Sequence, residues 1–85
     1  MSKTMRNLLI DRLAVHAARI LPGLNIENFK RDVHETARIR PHFDALLEAS
    51  LTPIPGSEFD MGMIKGVIMV VADATGGNPA AILNA

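Results

Sequence analysis

The sequence predicts an all-α domain, a small bundle of four to five short helices completed by oligomerisation. Three observations predict it: apolar residues recur at helical spacing in most of the chain, caps and breakers fall between those stretches, and one stretch is apolar on every side. At 85 residues the chain forms one domain, residues 1–85. A chain this short buries only about 60–65% of the surface its unfolded form exposes and does not support two cores.

From Met5 to Leu21, at about 100° per residue, the residues Met5, Leu9, Ile10, Leu13, Ala14, Ala17, Ile20 and Leu21 share one side. Asn7, Asp11, Arg12 and Arg19 lie mostly opposite. This first helix is expected to start near Ser2 or Thr4, whose hydroxyls cap free amides. It should end at Pro22-Gly23, where proline cannot continue the hydrogen bonding and glycine accepts unusual dihedrals.

Asn25 is suited to cap a second helix, with Glu27 favourably placed in its first turn and Ile26, Phe29, Val33 and Ala37 as its apolar stripe. Pro41 interrupts it, because proline removes the bond to the Ala37 carbonyl and pushes Arg40 away from helical geometry. A restart with Pro41 at the first helical position is preferred over a kink. The third helix then buries Phe43, Leu46, Leu47 and Leu51, and turns Asp44 and Glu48 to solvent as an acidic face.

Pro53, Pro55 and Gly56 mark a loop. Ser57, with Asp60 three residues on, resembles a capping box opening a fourth helix with Phe59, Met63, Ile64, Val67, Ile68, Val71 and Ala74 on its stripe. Met61, Met69, Val70 and Ala72 make the far side apolar as well, so the helix must be covered all round. Either it is the central helix, or one face meets a second copy or a different protein. Gly62 and Gly66, four apart, each cost roughly 1 kcal/mol against alanine and would let a neighbouring backbone approach closely. A rival assignment makes Gly66 to Ala72 a buried strand pairing across a dimer. Gly76 or Gly77 would end the helix, and Asn78-Pro79 would open a short last one that folds Ile82 and Leu83 onto the core.

Composition narrows the function. The chain has no cysteine, which removes disulfides and thiolate-bound zinc, and its first residues lack the pattern of a signal peptide. A cytoplasmic protein is expected, without a membrane span, because the longest apolar stretch, Met61 to Ala72, is too short and contains Lys65. Net charge is zero, but residues 1–40 carry eight basic and four acidic side chains and residues 41–85 carry one basic and five acidic, about +4 and −4. The asymmetry fits either an acidic partner or attraction between the two halves of the fold.

His16, His34 and His42 are the candidate catalytic or metal-binding side chains, and no two are three or four apart. His16 sits at the edge of an apolar face and reads as structural. His34 belongs to a charged face with Lys30, Arg31, Asp32, Glu35 and Arg38, which intrahelical ion pairs explain. No phosphate-cradling loop or nucleophile motif appears. Neither an enzyme nor a cofactor is expected.

Two function classes remain. The first is a non-catalytic interaction module that self-associates as a homodimer and binds or regulates another protein as adaptor, inhibitor or antiactivator. Its contact residues are Met61, Gly62, Gly66, Met69 and Val70, with Arg31 and Arg38 as charged contacts. The second is a DNA-binding transcription regulator in which the first two helices form a helix-turn-helix with Asn28, Lys30, Arg31, His34 and Arg38 outward. Zero net charge, interleaved Glu27, Asp32 and Glu35, and only three aromatic residues favour the first.

Overall fold

Four helices, α1 (Lys3–Ile20), α2 (Ile26–Ile39), α3 (Phe43–Ser50) and α4 (Met61–Ala74), make up the computed structural model, which describes residues 2–52, 55–56 and 60–76. Every pair of helices touches. Local chemistry sets most of the boundaries. The Ser2 hydroxyl accepts from the Met5 amide at 3.1 Å to open α1, and α1 stops before Pro22 and Gly23, the latter at φ +88°. Asn25 opens α2 in the same way, accepting from the Asn28 amide at 3.0 Å.

Pro41 acts differently from the expected restart at the first helical position. Arg40 takes the extended geometry that a following proline imposes, Pro41 and His42 form a turn, and α3 begins at Phe43. The fourth helix also starts later than a Ser57 cap implies. Asp60 is the cap, accepting from the Met63 amide at 3.2 Å, so α4 opens at Met61. The segment Gly66 to Ala72 lies inside α4, which rules out the strand assignment. Thr75 closes the helix, and Gly76 follows at φ +79°. Ser57, Phe59 and the expected last helix from Asn78 lie outside the described residues.

The core joins Leu9, Ile10, Leu13, Ala14, Ala17 and Leu21 of α1 and its C-terminal turn to Phe29 and Val33 of α2. Phe43, Leu47 and Leu51 close it from the α3 side, and Ile64, Val67, Ile68 and Val71 from α4. Burial of these side chains, at roughly 1.5–3 kcal/mol for each large one, is what holds four modest helices together. His16 and Thr36 are buried too, Thr36 with its hydroxyl donating to the Asp32 carbonyl at 2.8 Å.

Several expected positions move. Met5 and Ile26 are exposed rather than buried, and Leu46 and Ala37 only pack against the edge of the core. Ala72, assigned from sequence to the far side of α4, is buried. Asp44 does not face solvent as part of an acidic surface. It receives hydrogen bonds from Arg6 of α1, with Nε to Oδ1 at 3.0 Å, and both side chains keep only about a third of their surface.

Candidate functional site: the outer face of α4

The inward side of α4 carries Ile64, Val67, Ile68, Val71 and Ala72, all buried. One hundred degrees per residue then places Gly62, Lys65, Gly66, Met69 and Asp73 on the outward side, whereas Met61, directed between Ile68 and Ala72, is open because it is the first residue of the helix. Met61 is 50% exposed and Met69 45%, and Gly62, Lys65 and Asp73 are exposed beside them. A water-facing helix surface normally carries charged and polar groups; this one carries two thioethers and two glycines.

Gly66 sharpens the point. A Cβ added there would meet nothing within 4 Å, so no described segment uses the close approach that this residue permits. A Cβ at Gly62 would come to 3.3 Å from the capping Asp60 carboxylate, its nearest neighbour. Two glycines on the outside of a helix lower its stability by roughly 1 kcal/mol each relative to alanine, and no contact among the described residues offsets this.

Val70 is half-buried and stands at one edge of this face, where it joins Arg40, Pro41, His42, Phe43 and Leu46 around an almost wholly apolar groove of about 330 Å³. Pro41 and His42 line it because the α2–α3 turn, not a helix, occupies that corner. A second hollow of about 300 Å³ lies between α2 and the C-terminal half of α4, with Phe29, Ile68 and Val71 among its walls.

Three of the five apolar contact residues expected from sequence, Gly62, Gly66 and Met69, therefore share one face, Met61 is exposed at the start of the helix, and Val70 stands at the edge. Arg31 and Arg38 do not join them: both stand exposed on α2, Arg38 paired with Glu35 one turn earlier and Arg31 at 3.9 Å from Asp32. The hydrogen bond from Arg38, above all, holds the Glu35 carboxyl below its ordinary range. Lys30, another outward cation of the helix-turn-helix interpretation, reaches Asp11 of α1 at 2.9 Å, and that bond raises the ammonium's pKa.

The charge asymmetry is partly consumed within the fold, since Arg6 and Arg40 of the basic half reach Asp44 and Asp73 of the acidic half. His16, His34 and His42 sit on α1, on α2 and in the α2–α3 turn, and among the described residues no three metal-binding side chains cluster. No described helix is long and apolar enough to cross a membrane.

Sequence reasoning missed two features. The groove at Val70 depends on the α2–α3 turn meeting α4, which no local spacing encodes. Leu8 and Val15, 57% and 52% exposed, give α1 apolar positions off its core stripe; their seven-residue spacing was the available signal. The chain matches no protein-family model, and no curated protein and no solved structure is significantly similar to it.

Proposed function

We propose that this chain is a small, non-catalytic helical interaction module that self-associates through the outer face of α4 and, as an adaptor, inhibitor or antiactivator, binds or regulates another protein. The single observation that carries it is the face of Gly62, Gly66 and the exposed Met69, with Met61 open at the start, on a helix whose opposite side is fully packed. Water gains nothing from such a face, whereas a partner helix gains apolar burial and a close approach at the glycines. Methionine suits the role, because its unbranched thioether adapts to an irregular partner surface.

The pairing of Lys30 with Asp11 and Arg38 with Glu35 supports the protein-binding function over a nucleic-acid one. A phosphate backbone would have to compete with carboxylates already in place. Light scattering tests the proposal: the native chain should show a mass above its 9.2 kDa monomer that rises with concentration, and Met69→Asp should return it to the monomer. A native chain that stays at 9.2 kDa at every concentration would refute self-association.

A further inference from the structure

Which partner fits the face is written in its charges. Lys65, Met69 and Asp73 follow one another at four-residue steps along the outer side of α4, all three exposed, with Met61 one step earlier. Lys65 has no ion-pair partner among the described residues, and Asp73 is held only loosely by Arg40 at 3.5 Å with its side chain 78% exposed. A cation and an anion thus flank one methionine symmetrically, each about 6 Å from it along the helix.

We propose that this face docks a second copy of the chain with the two α4 helices antiparallel and the two-fold axis passing beside Met69. This deepens the self-association proposed above and rests on it. An axis there sets Met69 against the partner's Met69 and puts Lys65 of each copy opposite Asp73 of the other, giving two symmetric charge pairs from one stripe. A parallel pairing in register would set Lys65 against Lys65 and Asp73 against Asp73, which repels at both places.

Antiparallel contact also uses the glycines. The stripe of four-residue steps is a ridge, and the adjacent row through Gly62 and Gly66 is bare, so the ridge of one helix has a groove to enter on the other. Lys65 of the partner would share Asp73 with Arg40, an arrangement that adds a second cation to a carboxylate now mostly in water. A single pair of 14-residue helices is small for a specific interface, so the dimer is weak and concentration-dependent.

Charge exchange and cross-linking test the register together. Lys65→Asp alone and Asp73→Lys alone should each weaken dimerisation roughly tenfold, and the double variant Lys65→Asp with Asp73→Lys should recover it because the stripe is again self-complementary. The chain has no cysteine, so single thiols report cleanly. Met69→Cys should form a disulfide-linked dimer on mild oxidation. Met61→Cys should not, since eight residues put it about 12 Å from the axis and about 24 Å from its own copy.

A dimer that ignores both charge changes, or that cross-links equally through Met61→Cys, overturns the antiparallel register and leaves self-association standing. A native chain that is monomeric throughout overturns both.

Discussion

The helices α2 and α4 have the same length, 14 residues, and pack against each other, yet their outward faces could hardly differ more. On α2 the outward residues between its ends are Glu27, Arg31, His34, Glu35 and Arg38, several of them paired with neighbours, and the exposed isoleucines, Ile26 and Ile39, are its first and last residues. On α4 they are Met61, Gly62, Gly66 and Met69, with one lysine and one aspartate. The middle of α2 meets water with charges, and the middle of α4 with a methionine and glycines as well. In a chain this small, where buried surface is scarce, leaving methionines outside and glycines in a helix is a cost that solvation does not return and that the proposed partner would.

Substitutions can break this contrast, and the largest effect should come from neighbouring residues on the two sides of α4. Ile68 is 1% exposed and Met69 45%. Ile68→Ala should cost about 3 kcal/mol in urea unfolding of the monomer, through lost transfer energy and a cavity. Met69→Ala should cost well under 1 kcal/mol there, while lowering the solution mass. Equal losses of stability would mean that Met69 is a core residue.

Next come the caps, which should treat the two helices alike. Asn25 and Asp60 each accept a hydrogen bond from the amide three residues on, so Asn25→Ala and Asp60→Ala should each lower stability by about 1 kcal/mol. Thermal melts of the two variants check this. Asp60 also sets a negative charge at the start of α4, whose first turn contains no acidic residue.

Gly66→Ala separates folding from association by sign. In the monomer the added methyl meets nothing, so helix propensity should raise stability by up to about 1 kcal/mol. In the dimer the same methyl fills the groove, so dissociation should rise. Stability measured at low concentration and mass measured at high concentration should therefore move in opposite directions.

Smaller still is the pair between Arg6 and Asp44. The hydrogen bond from Arg6 holds the Asp44 carboxyl below its ordinary 3.8, against an opposing effect of burial. A depressed carboxylate pKa contributes stability that is complete above the ordinary value and is lost as pH falls through the lowered one. Acid unfolding below about pH 4 should thus be shallower in Asp44→Asn than in the native chain. On α2, Arg31→Ala with Arg38→Ala should leave both melting and solution mass unchanged within error, since exposed pairs contribute little.

Much of the architecture was legible because its causes are local. Pro22-Gly23 ends α1, Asn25 caps α2 and Gly76 follows α4 through interactions that span four residues or fewer. The exposure of Met61 and Met69 on α4 was legible too, since the helix carries more apolar residues than its core side takes up.

What escaped was set by distance along the chain. Asp44 is 38 residues from Arg6, so nothing near it reveals that it is paired and not free. Ala72 is small enough to suit either side of a helix, and only the packing of α4 on the core decides. Asp60 and Ser57 both make good caps on paper; the helix uses Asp60, whose carboxylate meets the Met63 amide.

The central claim is that α4 and not another exposed surface meets the partner, and methionine methyl resonances measure it residue by residue. The chain has five methionines, of which Met61 and Met69 lie on the α4 face and Met5 on the exposed side of α1. On raising the concentration, the methyl signals of Met69 and Met61 should shift progressively while that of Met5 stays in place. A Met69 signal that remains fixed from the dilute to the concentrated sample while Met5 moves would contradict the account.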